Sequence, residues 1–187
     1  VPIARKPEER EAIMQAVGEI EQDLMGLARV KVDAREELTP GFKYNEWELR
    51  SVPVRLEIGP RDLAAQQVVL ARRDTRAKET VPIASLRDRV PALLAEIQQN
   101  LYDQALALRR QLTLRVDDYD TFVREMDARN VFIEARHCGD AACEEIIKED
   151  TKATIRCIPF AAPPEDGPCV RCDKPGIGKR VVFSKAY

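Results

Sequence analysis

The five cysteines all lie in the second half of the chain, as Cys138-Gly-Asp-Ala-Ala-Cys143, Cys157 and Cys169-Val-Arg-Cys172. Two close pairs, with four and two intervening residues and about 25 residues between them, have the form of a four-thiolate zinc site. Short spacers let each pair grip the ion from one knuckle. Four thiolates leave no open position for water or substrate, so Zn²⁺ here is expected to be structural. Two disulfides are the alternative for the same pairs, although the chain shows no charged-then-apolar signal pattern and is too charged and regular for a disulfide scaffold. Cys157 stands apart in Thr-Ile-Arg-Cys-Ile-Pro-Phe, where a free thiol is expected to act as a small core hydrophobe. His137, the only histidine, adjoins Cys138. It could replace one ligand, but with four cysteines at hand it is expected beside the site or facing solvent.

A second stretch mixes rings with charges: Gly41-Phe-Lys-Tyr-Asn-Glu-Trp-Glu-Leu-Arg50. A core would want the rings without the charges. A surface that stacks on flat ligands and hydrogen-bonds their edges wants both. Elsewhere no catalytic set is visible. There is no Gly-rich phosphate loop, no histidine pair, and no serine or cysteine with an evident histidine base. The chain is expected to bind rather than catalyse.

The 187 residues, 44% hydrophobic and 33% charged, can bury one generous core or two modest ones, and no apolar run approaches a membrane span. A formal charge of −2 argues against gripping nucleic acid by bulk electrostatics alone. Two local basic runs, Arg72, Arg73, Arg76 and Lys78, then Arg109, Arg110 and Arg115, leave room for a localised site or for ordinary solvated faces. The opening Val1-Pro-Ile-Ala-Arg5 reads as half of a strand, so the chain is expected to be a piece of something longer.

The elements that must position these residues follow from periodicity. Pro7 can start a helix in which Ile13, Val17, Ile20 and Leu24 share one face up to Gly26. Arg29–Asp33 alternates like a strand, and Val52–Ile58 keeps a strict period of two with Arg55 and Glu57 on the opposite face. Val68–Ala71 and Val81–Ile83 read as a hairpin. A long helix through Leu86, Val90, Leu93, Ile97 and Leu112 follows, with Ser85 as its cap and Pro91 expected to kink or restart it. After Asp117-Asp118 the pattern begins again: helix 119–128, strand 131–135, helix 144–149, strand 154–160, a Pro-rich loop over 161–168 and a final strand over 180–183. Strands alternating with helices predict an α/β fold with a mixed sheet flanked by helices over residues 1–112. A small α/β zinc-binding domain is predicted over 113–187.

Pro40-Gly-Phe-Lys-Tyr-Asn-Glu-Trp-Glu-Leu-Arg-Ser-Val-Pro-Val-Arg-Leu-Glu-Ile-Gly-Pro-Arg-Asp62 closely resembles the anticodon-binding domain of prolyl-tRNA synthetases of the archaeal and eukaryotic-like type. The likeness continues through Lys78-Glu-Thr-Val-Pro82, the cysteine pairs, Thr154-Ile-Arg-Cys-Ile-Pro159 and the ending Lys185-Ala-Tyr187. That combination is specific, because histidyl, threonyl and glycyl synthetases share the anticodon fold but lack the C-terminal zinc-binding domain. Ser51 departs from the family pattern, standing where glycine is usual. The second knuckle departs too, continuing as Asp173-Lys-Pro175.

The resemblance implies a class IIa anticodon-binding fold within a class II ligase that joins proline to its tRNA using ATP with Mg²⁺. Its catalytic domain would precede Val1, and the full-length enzyme would be a cytoplasmic homodimer. Tyr187 would contact the catalytic domain. Every proline anticodon ends in two guanines, whose adjacent N1–H and N2–H₂ donors suit a carboxylate and whose O6 and N7 acceptors suit an arginine. By resemblance the anticodon readers are Tyr44 for stacking, and Glu48, Arg55, Arg61 and Asp62 for base edges. Phe42 and Trp47 are expected to be packing rings. The competing readings are a non-ligase tRNA- or RNA-binding module that kept this fold, and a structural zinc domain mediating protein contacts.

Overall fold

The computed structural model describes residues 1–4 and 6–186. Arg5, at the end of the expected opening strand, and Tyr187 lie outside the described residues. The chain divides into two compact units, Val1–Gln104 and Ala105–Tyr187.

In the first unit, helix α1 (Pro7–Leu24) opens with proline in its first turn beside Glu8 and Glu9, and Gly26 at φ 82 turns the chain away from it. Helix α2 (Pro40–Leu49) has Thr39 as its cap, the hydroxyl accepting from the Phe42 N–H. Strand β1 (Val54–Glu57), the short helix α3 (Pro60–Ala64), and strands β2 (Gln67–Arg72) and β3 (Lys78–Pro82) follow. The three strands form an antiparallel sheet in the order β1-β2-β3, and a parallel bridge between Pro2 and Ile58 adds the opening residues beside β1. A single 3-10 turn, Ile83–Ser85, leads into helix α4 (Leu86–Leu112), which runs as one helix through Pro91 and spans the division between the units. Ser85 does not cap it by accepting from a backbone N–H. Its hydroxyl instead donates to the Pro82 carbonyl at 2.8 Å.

The core of this unit joins Ile13, Val17, Ile20 and Leu24 of α1, Val68, Leu70 and Val81 of the sheet, and Leu86, Val90, Leu93 and Ile97 of α4. Helical spacing and strand alternation thus converge on one buried face. Arg29–Asp33 forms no strand, because in this stretch it is Asp33, not the valines, that is buried. The Asp33 carboxylate accepts from the Arg35 guanidinium at 2.7 and 2.8 Å, from the Arg35 N–H, and from Trp47 Nε1 at 2.8 Å. Arg35 also pairs with Glu46, and its carbonyl accepts from the buried Lys43 Nζ. The Arg35 guanidinium holds the Asp33 carboxyl well below the usual carboxylate range.

This network fastens the loop before α2 to α2 itself. Asp33→Ala should cost about 2–3 kcal/mol, less than the ~3–5 of a fully buried pair because Arg35 is 36% exposed. Urea unfolding measures it, and a loss below ~0.5 kcal/mol would place Asp33 among ordinary surface groups.

In the second unit, strand β4 (Thr113–Arg115) pairs parallel with β5 (Phe132–Arg136), and helix α5 (Tyr119–Ala128) crosses between them. Helix α6 (Ala141–Thr151), strand β6 (Ala153–Cys157) and strand β7 (Arg180–Lys185) complete a mixed sheet of order β4-β5-β7-β6. Phe122 and Met126 of α5, Ile133 and Ala135 of β5, Ile147 of α6 and Phe183 of β7 form its core, with Phe122 meeting Phe183 edge to face. The strand expected to reach Phe160 ends at Cys157, and Phe160 is fully exposed. Cys157 is itself exposed, at the end of an edge strand, and is not the core hydrophobe expected from its apolar neighbours.

Candidate nucleic-acid interface and metal centre

Tyr44 and Glu48 lie one helical turn apart on α2 and so share a face. Arg55 and Glu57 alternate on β1, and cross-strand pairing lines up Arg55, Ala71 and Lys78 in one row on the sheet face opposite Leu70. Ala71 is small, which lets the two long cations flanking it lean toward Tyr44. The Arg55 guanidinium lies 3.9 Å from the Tyr44 ring centre, and Lys78 Nζ lies 5.8 Å from it. Arg55 donates to Glu48 at 2.8 Å and to Glu57 at 2.9 Å, and Lys78 donates to Glu57 at 3.0 Å. Burial and the Glu57 carboxylate push the Tyr44 phenol up to about 12. The structure therefore brings together Tyr44, Glu48 and Arg55, with Glu57 and Lys78 completing the cluster.

Arg55 is largely buried, whereas Glu48 is 40% exposed and bonds Arg55 through only one carboxylate oxygen. Arg61 and Asp62 belong to α3 and join no contact with that cluster among the described residues. Arg61 is exposed. Asp62 Oδ2 accepts from the Gly59 N–H at 2.9 Å, closing the first turn of α3 and leaving Oδ1 for another donor. Trp47 packs as expected, through Asp33 and under Arg50. Phe42 does not: it is 55% exposed. Within the basic run, Arg72 pairs with Asp74 and Glu96, and Arg73 donates to the Glu48 carbonyl.

Ser51, the departure from family glycine, sits at φ 62 just past α2, with the Val52 N–H reaching back to the Trp47 carbonyl. The helix end thus keeps the left-handed turn that glycine serves elsewhere, with a side chain forced into it. Ser51→Gly should raise stability by about 1 kcal/mol without disturbing α2. Thermal unfolding checks this, and a lower midpoint would contradict it.

In the second unit β5 ends at Arg136, delivering His137 and Cys138. Gly139 at φ 80 turns the chain, and the Asp140 carboxylate caps α6 by accepting from Ala142 at 2.9 Å, which places Cys143 in its first turn. Cys169 and Cys172 come from the turn that a Pro168–Pro175 bridge closes. All five thiols are free of disulfides. Cys138 and Cys172 sulfurs lie 3.6 Å apart and Cys143 and Cys169 sulfurs 3.8 Å apart. A tetrahedron with Zn–S bonds of about 2.3 Å has sulfurs about 3.8 Å apart, so the donor set fits a metal ion of that kind. Burial disfavours the Cys169 thiolate, but the backbone N–H groups of Arg171, Cys172 and Cys138 outweigh it and bring the thiol down to about 7. Burial pushes the Cys143 thiol up.

His137 is 1% exposed, not solvent-facing, and a ring nitrogen lies within 4.8 Å of the sulfurs of Cys138, Cys143 and Cys169. Its Nδ1 accepts from the Gly139 N–H at 3.0 Å, and Nε2 has no partner among the described residues. The group His137, Cys138, Cys143 and Cys169 could hold a metal ion, with Cys172 beside it. The burial of His137 was readable in the sequence, since Val131, Ile133, Ala135 and His137 continue one alternation into the core.

A three-stranded sheet flanked by helices with a ring-and-charge cluster on its outer face, joined to a domain with two cysteine knuckles, defines an anticodon-binding module of the class II synthetase type. Residues 1–93 match the family profile described as anticodon binding domain, and residues 119–187 match that described as prolyl-tRNA synthetase, C-terminal. Proline–tRNA ligase of Chloroflexus aggregans is 44% identical over 190 residues, covering 100% of this chain and 39% of the relative. That of Mycobacterium leprae is 47% identical over 161 residues, covering 85% of this chain and 33% of the relative. A crystal structure of prolyl-tRNA synthetase from Cryptosporidium parvum, complexed with L-proline and AMP, matches with a TM-score of 0.91 at 33% identity, over 100% of this chain and 39% of that one. The chain belongs to the prolyl-tRNA synthetase family, as its anticodon-binding and C-terminal part. It spans about two-fifths of the length of such relatives.

Proposed function

We propose that the chain recognises the anticodon of proline tRNA on behalf of a class II ligase that joins proline to that tRNA using ATP and Mg²⁺. The observation that carries this reading is the Tyr44, Glu48 and Arg55 cluster, built on the outer sheet face of a domain that matches the anticodon-binding family. An unstacked base lies against the Tyr44–Arg55 pair, and the free oxygens of Glu48 and Asp62 accept from guanine N1–H and N2–H₂. Arg61, exposed and without a partner among the described residues, reaches O6 and N7. Matches to both domains of one synthetase favour the ligase over a stand-alone RNA-binding module.

Cys138, Cys143, Cys169 and Cys172 hold Zn²⁺ in the C-terminal domain, with His137 packed against the site. The ion supplies a cross-link between two knuckles rather than reaction chemistry. Catalysis belongs to a domain before Val1, within a cytoplasmic homodimer. No helix among the described residues is long and apolar enough to cross a membrane. The reading is tested by assaying the complete ligase with proline tRNA and with a counterpart whose two anticodon guanines are replaced. Charging of the replaced tRNA should fall sharply, and equal charging would refute anticodon recognition.

A further inference from the structure

Arg136 and Arg180 are direct cross-strand partners on β5 and β7, with side chains only 14% and 7% exposed. Two cations so placed repel and must be neutralised. Glu165, carried on the long loop before the second knuckle, does this for both: it accepts from Arg180 at 2.7 and 3.1 Å and from Arg136 at 2.8 Å. The exposed Arg115 pairs with it as well, while Asp117 supplies a second carboxylate to Arg136 and Arg180. Arg180, then Arg115 and Arg136, hold the Glu165 carboxyl down at about 2, so it stays charged.

Arg136 also touches the chain on both sides of Cys169. Its Nε donates to the Pro168 carbonyl at 3.1 Å, and its own carbonyl accepts from the Val170 N–H at 2.9 Å. Two residues beyond the end of its strand stands Cys138, the first residue of the other knuckle. Gly167 packs so closely over the guanidinium that an added Cβ would lie 2.6 Å from Arg136 Nε, and its φ of 149 disfavours any side chain there. The Glu165 N–H donates to the Gly178 carbonyl at 2.9 Å, so backbone and side chain fasten the same point.

We propose that Glu165 is a positioning residue for the metal centre, fixing Arg136 so that the knuckle of Cys169 and Cys172 is held against the knuckle of Cys138 and Cys143. The inference rests on the zinc reading above. Loss of its charge leaves the mostly exposed Asp117 as the one carboxylate that Arg136 and Arg180 share among the described residues, and Arg136 moves away from Pro168.

The test is zinc affinity of the 187-residue chain, by competition with a chelating dye, for wild type and Glu165→Gln, alongside melting of both in zinc-loaded and zinc-free form. The variant should bind zinc about 10–100-fold more weakly, the range for groups that orient metal ligands. It should also lose more melting temperature when loaded than when zinc-free. A purely structural role would lower both forms alike and leave affinity unchanged, and affinity within about twofold of wild type overturns the proposal. If Glu165→Gln fails to melt cooperatively, Arg136→Lys decides, because it keeps the charge but removes the Nε–H that holds the Pro168 carbonyl: weakened zinc binding supports the proposal and unchanged binding overturns it. Wild type that takes up no zinc refutes the metal reading itself, an outcome distinct from a wild type and variant that bind equally.

Discussion

Cys172→Ser should abolish stoichiometric zinc binding, and with it the order of the segment from about Pro159 to Lys179, while the first unit and the mixed sheet of the second stay folded. The sulfur pairs Cys138–Cys172 and Cys143–Cys169 each stand at a spacing that a tetrahedral ion accounts for, and a structural zinc in small domains contributes ~10–16 kcal/mol of apparent binding free energy near neutral pH. From the sequence alone, zinc removal is expected to unfold the whole C-terminal domain. The structure narrows that expectation. Phe122, Met126, Ile133, Ile147, Val181 and Phe183 make most of the core, and Cys143, Cys169 and Val170, with Cys138 and Cys172 packed against them, bring the metal loop to one side of it. Cys138→Ser should match Cys172→Ser, whereas Cys157→Ser, altering an exposed thiol at a strand end, should keep the ion. Elemental analysis with amide exchange checks all three. Zinc retained by Cys172→Ser, or unchanged exchange over residues 165–178 after chelation, would contradict the account.

The second large effect is on base discrimination. Arg61→Ala and Asp62→Ala should each lower charging of proline tRNA by the equivalent of about 1–3 kcal/mol, and should lose that much preference for the two guanines. Glu48→Gln should act in the same direction, since it keeps the shape but weakens the acceptor and the bond to Arg55. Tyr44→Ala should cost a similar amount, about 1–3 kcal/mol, with less dependence on the base, because stacking is tolerant of sequence. Substitutions at Arg73 or Arg76 should weaken binding to every RNA and reduce its salt dependence, as phosphate contacts do.

What the sequence made legible is what periodicity and knuckle spacing encode. The α1 and α4 stripes, the alternation through β1 and the paired cysteines each point to their place in the structure. The failures share a cause: each depended on which neighbour a segment meets. Arg29–Asp33 alternates but pairs with no strand among the described residues, and its buried residue is the carboxylate that Arg35 and Trp47 require. Cys157 sits among apolar residues, yet β6 is an edge strand and its end is exposed. β4 was hidden because three residues after a long helix carry no period, and only its parallel pairing with β5 makes it a strand. Phe42, in the first turn of α2, is left 55% exposed. At the candidate interface the residue types were legible, but the commitment of Arg55 to Glu48 and Glu57 arises only when β1 and α2 meet.

The most direct test compares kcat/KM of the complete ligase for proline tRNA and for its guanine-substituted form, in wild type, Arg61→Ala and Asp62→Ala. The account predicts that wild type strongly prefers the natural anticodon and that both variants lose most of that preference while losing little on the substituted tRNA. Equal charging of the two tRNAs by wild type, or an equal loss on both tRNAs in the variants, would show that this domain holds the RNA without reading its guanines.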